Sequence, residues 1–315
     1  MRSRRLGGTG LEVSVVSLGS WLTFGGSVNT DDSIAIVRRA FELGVTLFDT
    51  ANVYERGRAE EVLGRALAPL PRPGYVVATK VFGEMGPGPE DRGLGERHVR
   101  DQCDASLRRL GVDVIDLYQC HRYDPDTPLE ETCRVMDQLV RAGKIRHWGV
   151  SEWSAEQMMR AVELCDAEGW ATPGTDQPRY SMLQRELEAE VLPACQRLGF
   201  GVLVFSPLAQ GVLTGKYRSA EDVPADSRAA NARGAGFVAR FLTPEQLARV
   251  ERLRAVADEA GVPLGRLAIA WTLRDPAVTT AIVGATKLEQ LEENVLAADL
   301  ELDDRTLELI EEALQ

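Results

Sequence analysis

The chain has 315 residues, and its 48 Asp and Glu against 36 Lys and Arg give a formal net charge of −12. Because duplex nucleic acid is bound by a concentrated cationic surface, this balance argues against nucleic acid as the main partner. Apolar residues make up 44% of the chain and charged residues 27%, which is typical of a globular protein. No apolar run approaches the roughly 18 residues that cross a bilayer, so no membrane insertion is expected.

Cysteine usage and the N-terminal segment indicate the compartment. The five cysteines are scattered and include no CxxC pair, which argues against a zinc cluster and predicts reduced thiols. Residues 13–22 are apolar after a basic start, but Glu12 and the missing small-residue cleavage site argue against export. We therefore expect a cytoplasmic protein, and no pattern in it predicts a metal centre.

Short apolar runs alternate with helical stretches along the chain. The runs with strand character are 14–19, 45–48, 75–79, 114–118, 147–150, 171–176, 201–205 and 279–283. The stretches with helical spacing are 31–43, 59–67, 96–110, 129–141, 154–167, 186–198 and 288–297. Helix ends are predicted at Gly44, Gly111, Gly143 and Gly199, and helix starts at Thr30, Ser154 and Thr243. All runs but the sixth are nearly continuously apolar, as in parallel strands covered by helices.

This alternation predicts the fold. Eight strand-like runs interleaved with helices favour right-handed βαβ units that close into a (β/α)8 TIM barrel, one domain over residues 1–315. An open doubly wound sheet is the alternative. Residues 2–13 carry Gly-Gly-Thr-Gly between short β-prone pieces, which predicts an N-terminal β-hairpin that caps one barrel end. Residues 206–242 are too long for an ordinary connection and predict a functional loop after the seventh strand.

Polar side chains stand where the strand-like runs end. They are Asp49, Lys80, His121, Ser151, Gln177 and Ser206, and Gly284 ends the last run. Taken singly, each has a structural interpretation: Asp49 favours a turn, and a Lys at a strand end is usually solvated. In a barrel, however, all strand ends meet at one rim, where active sites of this architecture are built. The set therefore predicts an active site at that rim.

Tyr54, Lys80, Asp49 and His121 together have the chemistry of a proton donor. A phenol has an ordinary pKa near 10, which we expect the Lys80 ammonium to lower, with Asp49 holding that ammonium charged. An imidazole opposite the phenol would hydrogen-bond a carbonyl oxygen. The sequence has no GxSxG or HExxH pattern for a nucleophile or a metal. Because side chains do not donate hydride, the electrons must come from a cofactor.

The sequence contains no standard nucleotide-binding motif, but one segment has the residues that a phosphate-binding loop needs. No GxGxxG follows a predicted strand, and the segment FSPLAQGVLTGKY is not a Walker loop. It nevertheless offers small residues, backbone amides and the cation Lys216, as pyrophosphate recognition needs. Arg228, and Thr286 with Gln290 at a helix start, offer groups for a further phosphate. A solvated loop and a capped helix are the alternative interpretation.

These residues carry a resemblance. The chain resembles the aldo-keto reductases over about residues 5–300, and more closely the branch that includes the β-subunits of voltage-gated potassium channels. The specific pieces, in chain order, are LGGTGLEVSVVSLGSWLTFGG, LFDTANVYERGRAEEVLG, ATKVF, DLYQCHRYDPDTPLEET, HWGVSEWS, FSPLAQGVLTGKY and IVGATKLEQLEEN. The resemblance implies a TIM barrel that transfers hydride from NADPH to an aldehyde or ketone, with Asp49, Tyr54, Lys80 and His121 as catalytic tetrad and Tyr54 as proton donor.

The resemblance also implies the cofactor contacts and the assembly. Ser151 and Gln177 would bind the nicotinamide carboxamide, and the pyrophosphate would lie along Ser206, Leu208, Gly211 and Lys216. The 2′-phosphate of NADPH would meet Arg228, Thr286 and Gln290, the adenine would meet Glu293 and Asn294, and Gly284 is grouped with these cofactor residues. The set favours NADPH over NADH, and the resemblance implies a homo-oligomer, a tetramer being one form.

Departures from the family pattern leave other functions open. Channel subunits commonly have Asn where this chain has His121, and Glu152 stands where the wider family often has Asn and the channel branch Arg. The alternative to a reductase is an NADPH-sensing subunit that docks on another protein and turns over slowly. A phosphate-handling barrel such as an isomerase is a third interpretation. Four aromatic residues form a substrate pocket or pack in the core: Trp21, Phe82, Tyr123 and Trp153.

Overall fold

Eight parallel strands close into a barrel in the computed structural model, which describes residues 1–219, 222–225 and 227–315. Ahead of the barrel, β1 (Ser3–Arg5) and β2 (Glu12–Ser14) pair antiparallel. The barrel strands are β3 (Val16–Gly19), β4 (Leu47–Asp49), β5 (Val76–Val81), β6 (Ile115–Cys120), β7 (Ile145–Val150), β8 (Thr175–Asp176), β9 (Gly201–Phe205) and β10 (Val278–Val283). Sequence neighbours are barrel neighbours, and β10 pairs with β3. The predicted (β/α)8 barrel is confirmed, and the open sheet is excluded.

The β1–β2 hairpin closes the amino-terminal end of the barrel. Leu6 and Val13 are fully buried and pack with Leu47, Leu117 and Leu203 of the strand interiors. The Gly8 amide donates to the Gly199 carbonyl at 2.9 Å, at the start of β9. Because apolar side chains fill this end, only the carboxyl-terminal end is left to form a mouth. The predicted hairpin cap is confirmed.

Eleven α-helices occur among the described residues. They are α1 (Thr30–Glu42), α2 (Arg58–Leu67), α3 (Glu96–Leu110), α4 (Leu129–Arg141), α5 (Ala155–Glu168), α6 (Val191–Leu198), α7 (Ala235–Ala239), α8 (Pro244–Glu259), α9 (Leu264–Leu273), α10 (Leu288–Val295) and α11 (Asp304–Leu314). The predicted bounds hold for α3 and α4. The predicted stretch 186–198 divides into a 3₁₀ turn, Glu186–Glu188, and α6. Pro193 lacks an N–H donor and is tolerated in the first turn, where α6 places it.

Three long helices, α8, α9 and α11, were not among the predicted stretches. Eight of the ten residues of α9 are buried, so its nearly uniform apolar sequence shows no helical alternation. The start of α8 was predicted, and Thr243 does accept a hydrogen bond from the Gln246 amide there. None of the helices formed by described residues combines the length and the apolar character that crossing a membrane takes.

Most helix ends follow the predicted signals. The four predicted terminal glycines all adopt positive φ angles, between 67° and 88°. Ser154 and Gln157 form a reciprocal capping box at α5. The start of α1 differs from the prediction, because Asn29 rather than Thr30 caps it and accepts from the Asp32 amide at 2.9 Å. Thr30 is already the first helical residue.

Candidate active site

Two charged side chains from neighbouring strands meet inside the barrel mouth. Asp49 is the last residue of β4, and Lys80 lies one residue before the end of β5, so both strands extend slightly beyond the predicted runs. Lys80 Nζ donates to Asp49 Oδ2 at 2.6 Å and to the Thr50 carbonyl at 2.7 Å. Lys80 is 0% exposed and Asp49 is 4% exposed. The Lys80 charge is therefore tolerated in the interior because Asp49 pairs with it.

Tyr54 and His121 complete the predicted quartet. Tyr54 begins a 3₁₀ turn after β4, in which Glu55 and Arg56 adopt left-handed φ angles of 49° and 55°. The turn places the Tyr54 hydroxyl 3.5 Å from Lys80 Nζ. His121 directly follows β6, and its ring meets the Tyr54 ring edge-on, with centroids 5.6 Å apart. The structure brings all four side chains together at the carboxyl rim, where sequence analysis placed them.

The surroundings set the protonation state of each group. Burial is the largest single effect on Lys80 and opposes its charge, but the interactions with Asp49 and Tyr54 together outweigh burial and raise the pKa of Lys80. Burial raises the pKa of Tyr54, and the opposing effect of the Lys80 charge does not cancel it. The expected net lowering of the Tyr54 pKa is therefore wrong for this structure. Burial, with the charges of Lys80 and Arg122, holds the pKa of His121 well below its usual 6.5, so His121 is neutral at pH 7.

The two predicted nicotinamide residues join the same network. Gln177 follows β8, and its Nε2 donates to Asp49 Oδ1 at 2.8 Å. Ser151 follows β7, and its Oγ donates to the Gln177 carbonyl at 2.8 Å. Both oxygens of the Asp49 carboxylate thus have hydrogen-bond donors. Gln177 therefore fixes the orientation of Asp49, a contact between residues 128 positions apart that the sequence did not indicate.

Glu152 has a structural partner. Its backbone is left-handed, with φ 58°, and its Oε1 accepts a hydrogen bond from the Arg179 amide at 2.8 Å. The Arg179 guanidinium lies 3.7 Å from the other carboxylate oxygen. Glu152 therefore ties the turn after β7 to the segment after β8, on which Gln177 lies.

The segment after β9 has a cluster of left-handed backbone angles. Ser206, Ala209 and Gln210 adopt left-handed φ angles of 60°, 45° and 62°, and Gly211 follows with 93°. Such angles are strained in residues other than glycine, and they cluster where function requires them. Turns of this kind direct successive backbone amides towards one concavity. A Cβ on Gly211 would stand only 3.4 Å from Lys216 Nζ, which places this cation beside the turn.

Arg228 extends this cluster. Its Nη1 donates to Gln210 Oε1, and Gln210 Nε2 donates to Ser206 Oγ at 2.6 Å. The guanidinium stacks on Trp21, 5.3 Å from the ring centroid. Burial lowers the pKa of Arg228 from its ordinary value. Among the described residues no carboxylate pairs with it, so its charge is free to meet an anionic group.

The long segment after β9 reaches the loops that follow β3 and β4. Arg233 Nη1 pairs with Glu55 Oε2 at 2.6 Å, in the turn that carries Tyr54. The Phe237 ring, in the middle of α7, meets Trp21 edge-on with centroids 4.8 Å apart. The Arg233 side chain is 70% exposed, so the pair contributes little to stability. The pair instead holds the segment after β9 against the loop after β4, and the Phe237–Trp21 contact holds it against the loop after β3.

Comparison with known proteins agrees with this geometry. A sequence model described as the aldo/keto reductase family matches residues 15–315. The chain belongs to the aldo/keto reductase family. Members of this family are oxidoreductases that act on small carbonyl compounds and generally use NADH or NADPH.

This aldo/keto reductase has curated relatives of two kinds. It is 41% identical over 320 aligned positions to a probable voltage-gated potassium channel subunit beta of Arabidopsis thaliana, covering 100% of this chain and 97% of the relative. A putative channel subunit beta of Schizosaccharomyces pombe is 39% identical, with coverages of 98% and 90%. The L-glyceraldehyde 3-phosphate reductase of Escherichia coli K12 is 37% identical, with coverages of 94% and 87%.

The remaining predicted cofactor residues of this aldo/keto reductase lie around the start of α10. Thr286 donates through its amide and hydroxyl to Gln290 Oε1, at 2.9 and 3.0 Å. Within the described residues, the N-cap position of α10 makes no side-chain capping hydrogen bond. Gly284 is exposed at the end of β10 with open space around its Cα. Both donors of Thr286 are thus taken up by Gln290 in this structure, and the cofactor-binding roles of Gly284, Thr286 and Gln290 stay predictions.

The two residues predicted to contact adenine differ in their surroundings. Glu293 forms a bidentate ion pair with Arg266 of α9, with both distances 2.9 Å. Asn294 is 7% exposed. Leu208, predicted beside the pyrophosphate, is half-buried and packs against the core. Glu293 therefore already has a cationic partner, whereas the side chain of Asn294 lies largely inside.

The four predicted pocket aromatics divide by burial. Trp21, Phe82 and Tyr123 are partly buried, whereas Trp153 is only 2% exposed. Trp153 meets Tyr123 edge-on, with centroids 4.9 Å apart. Trp153 therefore supports Tyr123 from behind. For Trp21, Phe82 and Tyr123, the role of lining the substrate pocket remains a prediction.

Sequence analysis missed one residue of the mouth. Arg122 Nη1 donates to the carbonyl of His121 and lies 3.4 Å from Ser151 Oγ. Its charge opposes the rise in the pKa of Tyr54 and adds to the fall in the pKa of His121. The available signal was adjacency, because Arg122 is the next residue after His121 at the end of β6.

Proposed function

We propose that this chain reduces aldehydes and ketones to alcohols with NADPH, and that Tyr54 is the proton donor. The observation that carries the proposal is the Tyr54 hydroxyl 3.5 Å from Lys80 Nζ, which in turn lies 2.6 Å from Asp49. NADPH, when bound, supplies the hydride. Family membership supports oxidoreductase chemistry, and the name of the Escherichia coli relative supports an aldehyde as substrate.

Each residue of the quartet has one task in this mechanism. As negative charge develops on the carbonyl oxygen, the Tyr54 hydroxyl transfers its proton to it. The Lys80 ammonium stabilises the phenolate that remains, although burial keeps the resting pKa of Tyr54 high. Asp49 keeps Lys80 charged and in place. His121, being neutral, donates a hydrogen bond to the same carbonyl oxygen.

The described residues fit a phosphorylated dinucleotide. The strained turn at residues 206–211, with Lys216 beside Gly211, suits a pyrophosphate. Arg228, which has no carboxylate partner among the described residues, suits the 2′-phosphate that distinguishes NADPH from NADH. Gln177, which donates to Asp49, and Ser151, which donates to the Gln177 carbonyl, are the proposed contacts of the carboxamide. These contacts support NADPH as the cofactor.

The direct test is consumption of NADPH in the presence of 4-nitrobenzaldehyde or methylglyoxal. We expect turnover with both aldehydes and none without them. NADPH fluorescence that does not change on adding protein would contradict dinucleotide binding and favour a phosphate-handling isomerase.

Arg228→Gln tests the choice of cofactor. We expect the KM for NADPH to rise about tenfold or more while the KM for NADH changes little, because only NADPH carries the phosphate that the guanidinium would bind. Steady-state kinetics with each cofactor measure this. Arg218→Gln, at an exposed position in the same segment, is the matched control. An equal rise in both KM values would mean that Arg228 only shapes the loop.

The pH dependence of reduction tests the protonation states. Tyr54 has a pKa raised above 10.0, and His121 has one well below 6.5. Reduction needs protonated Tyr54 and neutral His121, so both conditions hold from pH 6.5 to pH 9. We expect kcat/KM to be flat over this range. A fall in kcat/KM between pH 7 and pH 8 would show that another group is the acid.

An NADPH-binding subunit of another protein is the second candidate. The names of the two channel-subunit relatives favour it. His121 argues against it, because a hydrogen-bond donor to the carbonyl is needed only for reduction. Tight retention of NADPH without reduction of a broad aldehyde panel, with a stable partner in pulldown, would support this candidate. We also propose that the chain forms a homo-oligomer, and light scattering of the purified protein measures its mass.

A further inference from the structure

Arg122 is a cation at the mouth that forms no ion pair with the described residues. Several partly buried arginines elsewhere in the described chain meet carboxylates, as in the pairs of Arg109 with Glu60 at 2.6 Å and Arg274 with Glu188 at 3.2 Å. Arg122 forms no such pair with any residue of the described ranges. Because an unpaired, partly buried charge is costly, its retention at the mouth calls for a function.

The side chain of Arg122 has donors to spare. A guanidinium carries five N–H groups, and the two contacts of Arg122, with the His121 carbonyl and with Ser151 Oγ, use one nitrogen, Nη1. Neither Nε nor Nη2 has a hydrogen-bond partner in the part of the chain that the structure describes. The fork formed by these nitrogens suits the paired oxygens of a carboxylate or phosphate.

The neighbouring carboxylates are already occupied. Asp49 is paired with Lys80, Glu152 holds Arg179, and Glu55 holds Arg233. The charge of Arg122 is therefore unbalanced by the described residues of the mouth. An anionic group on a ligand would balance it in a partly desolvated setting, where a charge-assisted hydrogen bond is stronger than in water.

The position of Arg122 points to the substrate rather than to the cofactor phosphates. Its contacts are with His121 and Ser151, and its charge acts on Tyr54 and His121, which together bind the carbonyl oxygen in the proposed reaction. The candidate phosphate groups, Lys216 and Arg228, lie instead on the segment after β9.

We propose that Arg122 selects short aldehydes and ketones that carry an anionic group, a carboxylate or a phosphate, close to the reacting carbonyl. This inference rests on the proposed reductase function and names its substrate class. Arg122 binds the anionic group and leaves proton donation to Tyr54. Its contact is made in the bound substrate as well as in the transition state, so it acts mainly on KM.

Two substrate pairs test the inference. Glyceraldehyde 3-phosphate is compared with glyceraldehyde, and succinic semialdehyde with butanal, so that each pair differs in one anionic group. We expect the wild-type protein to have a higher kcat/KM for the anionic member of at least one pair. The preference is the ratio of kcat/KM for the anionic substrate to kcat/KM for its neutral partner. Arg122→Gln should lower that ratio about tenfold or more, chiefly by raising the KM of the anionic substrate, and Arg122→Lys should retain part of the preference. The pair that responds identifies phosphate or carboxylate.

The control keeps the overall charge change the same. Arg108→Gln removes one exposed positive charge from the last turn of α3, away from the mouth, and should leave the ratio unchanged. An unchanged ratio in Arg122→Gln, with continued reduction of neutral aldehydes, would overturn the inference and leave the proposed function intact. If wild-type protein reduces no aldehyde of either kind, the proposed function fails and the inference with it. If Arg122→Gln does not fold, two other measurements test the inference: the ratio of Arg122→Lys, which should fall, and the wild-type ratio, which should fall with added salt.

Discussion

Tyr54→Phe is expected to lower kcat/KM for aldehyde reduction by about 10²–10⁴-fold, the usual contribution of a positioned general acid. The substitution removes only the hydroxyl that lies 3.5 Å from Lys80 Nζ and leaves the ring to pack against His121. Binding of NADPH, followed by fluorescence, should change little, because the predicted cofactor contacts lie on other segments. Loss of turnover with retained binding would separate proton transfer from cofactor recognition.

Tyr75→Phe is the matched control. Tyr75 lies just before β5, at the opposite end of that strand from Lys80, and it also loses a phenolic hydroxyl. We expect wild-type kcat/KM for this variant. Equal turnover by wild type and Tyr54→Phe would mean that the proton comes from another group, and the proposed mechanism would be wrong.

Lys80→Met is expected to abolish measurable reduction and to lower the free energy of unfolding by about 3–5 kcal/mol. The reason is that Asp49, 4% exposed, would be left in the interior without the ammonium that lies 2.6 Å from it. The remaining donor, Gln177 Nε2, is neutral and compensates only in part. Urea denaturation measures the loss of stability, and NADPH consumption measures the loss of turnover.

The double variant Asp49→Asn with Lys80→Met distinguishes the causes. Removing both charges of a buried pair is close to neutral, so we expect the double variant to regain most of the stability. It should remain inactive, because no cation stabilises the Tyr54 phenolate. Wild-type stability in Lys80→Met alone would show that the pair is not ionic in the folded protein.

Much of the fold was predictable because, in a barrel of parallel strands, the order of strands and helices along the sequence determines where each strand end lies. Once apolar runs alternate with helices, each residue that follows a run must stand at the same rim. Asp49, Lys80 and His121 were placed in this way, although their strands extend one or two residues beyond the apolar runs. α9 escaped prediction, because a helix buried on nearly all sides has no polar face to reveal its period.

The sequence by itself determined the order of strands and helices, the hairpin cap and the polar residues at the strand ends, since these depend on local pattern and on chain order. Only the tertiary structure decided the direction of the Tyr54 pKa shift and the hydrogen bond from Gln177 to Asp49. It also decided that none of the described residues supplies a counter-charge to Arg122. The physical reason is that desolvation and Coulomb interactions depend on distances between residues far apart in the chain. For Tyr54 these effects oppose each other, and only their balance in the folded protein sets the sign.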